Sequence, residues 1–248
     1  MTAADRLPMQ QVSSTTRRTP RRRGLRRLLT DLGRLPLATA ASLYRWFDPG
    51  FWLEREARNV VLGWLSQPRC RQLEKIAGRL SARQCVLLAY LAAKAPVGGD
   101  VVHVGAWESQ TTAWLAEGVR QRSDRPRIVS VDSGGQDSWQ EASDIVRRFD
   151  SQAHQLKIYR TRLQDVGPSF GRPIALLWMD GCRHGADIRQ QAECFLPCVA
   201  RGGWAVCVAS DASAAAEARA VIGKRVHRGA EFRRIATVRQ LEIFRRET

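Results

Sequence analysis

The residues best suited to chemistry fall between Asp100 and Gly118, where the sequence reads DVVHVGAWESQTTAWLAEG. Its apolar opening, Val101 to Val104 with His103 inside, predicts a strand buried on both faces. Gly105-Ala106 predicts a tight turn. Beyond it, Thr111, Trp114, Leu115 and Gly118 recur at the three- and four-residue spacing of a helix. A strand that turns directly into a helix brings backbone N–H groups and a helix N-terminus to one point, which suits a ligand with negative or electron-rich groups. Asp132, which lies 27 residues past Gly105 (132 − 105), closes a second apolar run, Ile128 to Val131. An acid at that place can accept both hydroxyls of a ribose, and a plain strand-end cap is the other reading. A third run, Ile174 to Met179, ends in Asp180-Gly181, followed by Cys182, Arg183 and His184. The unperturbed pKa of histidine lies near neutrality, so His184 can serve as a general base, or can be a solvated loop histidine. Cys182 would be a nucleophile only with its thiolate stabilised, for which Arg183 is the available cation.

The elements needed to position these residues alternate regularly beyond Asp100. Strands are expected at 101–105, 127–132, 156–160, 174–180, 203–209, 231–237 and 240–245. Helices are expected at about 109–121, 139–150, 187–196 and 212–222. Such alternation implies a Rossmann-like α/β domain, a parallel sheet with helices on both faces. The last two β-like runs have only a turn between them, so they form a C-terminal antiparallel hairpin. Upstream, residues 54–94 read as two or three helices, with a start at Ser81 and a stop before Pro96. The near-continuous apolar stretch Val86 to Ala93 marks the last of these as buried. The expected organisation is a basic tail over 1–27, a helical cap over 28–95 and the Rossmann-like domain over 96–248.

Together the segments VVHVGAWESQTT, IVSVDS, LLWMDG and LPCVARGGW resemble the class I S-adenosylmethionine-dependent methyltransferases, in particular the branch that includes macrocin O-methyltransferase and cephalosporin hydroxylase-like proteins. The resemblance covers roughly Asp100 to Val208. It implies S-adenosylmethionine as cofactor and methyl transfer to oxygen or nitrogen of a small molecule or glycan. It also implies that Gly105, Ala106 and Trp107 pass under the methionine and ribose portions. Glu108, Ser109 and Thr111 would stand at the helix start, with Asp132 on the ribose hydroxyls and Ser133 beside it. The chain departs from the family's pattern at several places. His103 stands where relatives carry an acid that helps hold the cofactor's ammonium, and Ser109 lies near where they carry a glycine. After Asp180-Gly181 relatives continue with acidic or polar residues of a divalent-cation and base cluster, whereas this chain has Cys182 and Arg183, with His184 one position late. The later acid is absent at Val208 and Ala209, and Asp211 is displaced. A magnesium site needs several oxygen ligands, so no metal is expected. Two readings follow: Asp180, Arg183 and His184 form a metal-free catalytic group in which Arg183 supplies the positive charge, or the protein is an inactive, methyltransferase-like binding or scaffold subunit.

Composition frames this reading. The 248 residues suit one α/β domain with an appendage, and 44% hydrophobic residues suffice for a sheet core. The net charge of +16 comes mostly from arginine, an excess that base composition alone can produce, though a basic surface favours polyanions. Residues 1–34 hold nine Arg against Asp5 and Asp31, a net of +7, and the aromatics Trp46, Phe47, Phe51 and Trp52 follow. A disordered tail and either a packed helical cap or a peripheral association with an anionic membrane are expected there. Specific nucleic-acid binding is not expected, because no base-reading motif is present. Six cysteines without a C-x-x-C pair read as reduced thiols in a cytoplasmic protein, at most peripheral at the inner membrane face. No apolar run reaches the length of a membrane span.

Overall fold

A computed structural model describes residues 48–105, 109–132, 144, 156–160, 162–166, 170–182, 185–223 and 231–248. All of these belong to one unit of the chain, Trp46–Thr248. Three helices come first: α1 Pro49–Trp64, α2 Gln67–Glu74 and α3 Ala82–Lys94. Asp48 caps α1, its carboxylate accepting from the Gly50 amide at 2.8 Å, and Pro49 occupies the first turn, where no N–H is missed. Ser81 caps α3 in a reciprocal box with Gln84, as its place before the apolar run predicts. Leu87 to Ala92 of α3 are all buried.

The sheet follows: β1 Asp100–Val104, β2 Ile128–Asp132, β3 Leu156–Arg160, β4 Ile174–Cys182, β5 Val199–Ala209, β6 Phe232–Val238 and β7 Leu241–Arg246, in the order β3-β2-β1-β4-β5-β7-β6. The first five strands are parallel, and β7 is antiparallel to both of its neighbours, β5 and β6. Between them lie α4 Ser109–Val119, the single turn α5 Leu163–Val166, α6 Gly185–Phe195 and α7 Ala212–Gly223. The two-residue alternation of the strands divides the core in two. Val101, Leu176, Trp178 and Val206 pack with α1, α3 and α4, and Val102, Leu177, Met179 and Ala205 pack with α6 and α7. Trp114 and Trp178 are fully buried. Each removes roughly 200 Å2 from water, about 5 kcal/mol before the entropy of ordering is subtracted. Gly118 explains the close crossing of α3 and α4: a Cβ there would lie 2.2 Å from the Ala89 carbonyl oxygen.

Several arginines neutralise buried acids. Glu117 of α4, the helix Ser109–Val119, is held by Arg69 at 2.9 Å and Arg120 at 2.5 Å, and Glu242 of β7 by Arg219 at 2.5 Å. Cys70, Cys85, Cys194, Cys198 and Cys207 form no disulfide, and burial pushes the Cys85 thiol up to about 12. No helix among the described residues is long and apolar enough to cross a membrane.

Most expected elements are present within a residue or two, but three boundaries need correction. Strand β5 begins at Val199 rather than 203, because the ladder with β4 absorbs Arg201-Gly202-Gly203 as a bulge: Ile174 pairs with Val199 and Leu176 already with Trp204. Strand β4 runs two residues past Asp180, to Cys182, and α6 starts at Gly185 rather than 187. The turn of helix at 163–166 is too short to carry a periodic signal. The helix expected at 139–150, the tail and residues up to 47 lie outside the described residues, Asp144 excepted.

Candidate functional site

The sheet order places the candidate residues. From β1 the chain moves outward to β2 and β3, then returns across β1 to β4 and β5, so the carboxyl ends of β1 and β4 form the switch point where α/β sheets bind ligands. Val104 pairs with Val131 on one side and with Met179 on the other. One residue further, Gly105 is therefore flanked by Asp132 on β2 and Asp180 on β4. The two acids stand two strand spacings apart, roughly 10 Å, with the glycine turn between them.

Gly105 leaves the strand with φ +79 while its amide still donates to the Val131 carbonyl at 2.9 Å. A side chain is disfavoured at such a φ, so the turn that starts here is reserved for glycine. Ala106 and Trp107 lie outside the described residues, and Ser109 opens α4. Thr111, in the first turn of α4, is fully buried. Gln110, which the sequence does not single out, grips the segment before α3: its side-chain oxygen accepts from the Leu80 amide at 3.0 Å and its nitrogen donates to the Leu80 carbonyl at 3.3 Å. The start of α4 and the helices upstream are thereby tied together beside the turn.

Beneath the turn lies a row of polar side chains. His103 of β1 pairs in register with Ser130 of β2 and Trp178 of β4. His103 Nδ1 and the Thr112 hydroxyl are 3.4 Å apart. The imidazole is 1% exposed, and burial pushes its pKa down to about 3, so it is neutral at working pH. His103 Nε2, Ser130 Oγ, Trp178 Nε1, Thr111 Oγ1 and Trp114 Nε1 are all buried without a hydrogen-bond partner among the described residues. Such atoms ordinarily find a water or a ligand, and here they gather around the strand that leads into the turn.

On the β4 side Asp180 is half-buried, and its carbonyl accepts from the Gln191 side chain of α6 at 3.3 Å. Arg183 and His184 lie outside the described residues, as does Ser133. The displaced acid, Asp211, is used elsewhere: its carboxylate caps α7 through the Ala214 amide at 2.9 Å. Among the described residues no group of three or more His, Cys, Asp or Glu could hold a metal ion. Of the expected site residues, then, the fold brings Gly105, Asp132, Asp180, Ser109 and Thr111 to one end of the sheet. Gln110, Thr112 and Gln191 join them, and only their position near the strand ends could have suggested it.

Comparisons with known proteins agree with this fold. A family model described as a methyltransferase domain matches residues 102–207. No curated protein matches the sequence. Among solved structures, the O-methyltransferase NovP is similar over 68% of this chain and 81% of its own, at 15% identity and a TM-score of 0.53. The O-methyltransferase TomG from Streptomyces achromogenes, solved in complex with S-adenosylmethionine, covers 79% and 90% at 17% identity and a TM-score of 0.53. The calicheamicin methyltransferase CalS11 covers 98% and 99% at 14% identity and a TM-score of 0.51. Residues 102–207 match a methyltransferase-domain model, and the seven-stranded sheet has the Rossmann-like fold of the solved methyltransferases.

Proposed function

We propose that this chain transfers a methyl group from S-adenosylmethionine to an oxygen or nitrogen of a small molecule or glycan. The observation that carries the reading is the row Asp132, Gly105, Asp180 across the carboxyl ends of β2, β1 and β4, at the switch point of the sheet. The bound cofactor supplies a methyl on a cationic sulfur, whose bonding pair stays with sulfur as the acceptor's lone pair makes the new bond. The residues present fit that group at its nucleoside end. Gly105 offers a backbone without a Cβ at the turn, Asp132 with Ser133 receives the ribose hydroxyls, and Ala106, Trp107, Ser109 and Thr111 line the path between. At the amino-acid end the fit differs from the family's pattern, since the neutral, buried His103 gives the ammonium no counter-charge from β1. Asp180 and His184 take the acceptor's proton, and Arg183 provides the positive charge of the site. NovP and TomG are named O-methyltransferases, which favours oxygen as the acceptor atom.

Calorimetric titration with S-adenosylhomocysteine tests the reading. Saturable binding is expected, and folded protein that shows none at millimolar ligand would remove it. A second reading, a methyltransferase-like binding protein that does not catalyse, draws on two observations: His103 is neutral, and Asp211 is committed to a helix cap. Transfer of a tritiated methyl group into fractions of a lysate from cells lacking the gene separates the two. Incorporation excludes the second reading, and cofactor binding without incorporation excludes the first.

A further inference from the structure

Gln110, the second residue of α4, is buried, and both ends of its amide are used on one residue far upstream. Oε1 accepts from the Leu80 amide at 3.0 Å, and Nε2 donates to the Leu80 carbonyl at 3.3 Å. A side-chain amide carries an acceptor and donors in one plane, so it pairs with a backbone residue much as a neighbouring strand would. Gly78 permits the approach: a Cβ there would stand 2.6 Å from Gln110 Cδ, and closer still to its Cβ and Oε1. Ser81 is fixed in turn, its amide donating to Gln84 Oε1 at 2.9 Å within the capping box of α3. The Gly78–Leu80 stretch, which links α2 to α3, is therefore fastened to the start of α4 on one side and to the start of α3 on the other.

Two further contacts hold the upstream helices on α4: Arg69 of α2 on Glu117, and Gly118 against the Ala89 carbonyl of α3. They lie seven and eight residues past Gln110 (117 − 110 and 118 − 110), roughly 10–12 Å along the helix. They join the layers from the far end of α4, whereas Gln110 settles the linker beside the turn that starts at Gly105. We propose that Gln110 is a positioning residue for methyl transfer: its two bonds to Leu80 hold the linker as the wall that aligns the amino-acid end of the cofactor, and with it the methyl-bearing sulfur. The inference rests on the cofactor reading above and deepens it. With the nucleoside end on Asp132, the rest of the cofactor runs past the glycine turn to the first residues of α4, where a helix N-terminus favours its carboxylate. The neutral His103 gives that end no counter-charge, so its alignment depends on the wall it meets.

S-adenosylhomocysteine and 5′-methylthioadenosine, which has the same nucleoside and sulfur but no amino-acid end, are the probes, titrated calorimetrically into the full chain. Gln110→Met keeps the length of the side chain and loses both bonds. It should weaken S-adenosylhomocysteine about tenfold and methylthioadenosine less than about twofold. Gly78→Ala drives the linker away from Gln110 and should narrow the gap between the two ligands by a similar factor. In the wild type, S-adenosylhomocysteine should slow hydrogen exchange of the Leu80 amide at least about fivefold, and methylthioadenosine should leave it within about twofold. A residue that merely held the fold together would weaken both nucleosides alike, or neither. The proposal is overturned by either of those results, by an unchanged affinity ratio in the Gly78→Ala protein, or by a Leu80 amide that S-adenosylhomocysteine does not protect. A wild type that binds neither nucleoside overturns the cofactor reading together with this one, whereas binding of both with the ratio unchanged in the variants overturns this one alone.

Discussion

The buried imidazole of His103 makes the stability of this domain sensitive to acid in a direction that can be worked out. In the unfolded chain histidine titrates near 6.5, whereas in the folded protein burial holds His103 at about 3. Between these values the unfolded state binds a proton that the native state refuses, so stability contributed by the neutral form is complete above pH 6.5 and is lost as pH falls toward 3. At pH 4.5 the loss approaches 1.36 kcal/mol for each of two pH units, about 3 kcal/mol. Its in-register neighbours Ser130 and Trp178 and its partner Thr112 do not titrate in this range, so nothing in the row offsets it. The measurement is a urea titration of the wild type and of His103→Asn at pH 7.5 and pH 4.5. Asparagine keeps a polar group toward Thr112 but cannot be protonated, and comparing the two pH-dependent losses cancels what the surface carboxylates contribute. The wild type should lose about 3 kcal/mol more than the variant between the two pH values. Equal losses within about 1 kcal/mol would refute the argument that this imidazole is held neutral by burial.

Three further outcomes are expected. Gly105→Ala should cost about 1–2 kcal/mol in chemical denaturation, from forcing a side chain to φ +79, and should weaken S-adenosylhomocysteine; a neutral effect on both would mean the turn is not needed in this form. Asp132→Ala should reduce S-adenosylhomocysteine affinity by as much as about 100-fold, the worth of a charge-assisted pair of hydrogen bonds, with the melting temperature little changed; an unaltered affinity contradicts the ribose role. Replacing Arg69 and Arg120 together by Met strands the fully buried Glu117 carboxylate and should cost about 3–5 kcal/mol, most of it restored by adding Glu117→Gln; a loss below about 1 kcal/mol would show that this acid does not depend on them.

The parts of this fold legible in the sequence are those governed by local pattern. The uninterrupted apolar runs at 101–104, 128–131 and 174–179 fix three buried parallel strands. The turn residue after the first and the acids after the others then fall in one row, because neighbouring strands of equal length end at equal height. Ser81 before a long apolar helix is a start signal that the capping box bears out. What was not legible depends on partners far along the chain. The strand register absorbs Arg201-Gly202-Gly203 as a bulge, which no local pattern distinguishes from a turn. Gln110 grips Leu80 across 30 positions, and Arg127 and Arg172 meet on an acid that reads as nothing more than the start of a strand. The displaced acid at Asp211 is explained only once its carboxylate is seen on the Ala214 amide.

The last strand, β7, lies between β5 and β6, with Leu241 to Phe244 fully buried. A ribosome delivers the chain from the amino end, so every other strand emerges before the one that must slot between two of them. Until residue 246 is free of the exit tunnel, β5 keeps an open row of backbone donors and acceptors, and the apolar faces of α1 and α7 have no complete sheet to rest on. A nascent chain halted in the turn at Arg239 is therefore a half-closed sheet with a sticky margin. The decisive closing event belongs to β7, the last strand of this sheet to be translated, and chaperone binding should persist up to that moment and then fall away.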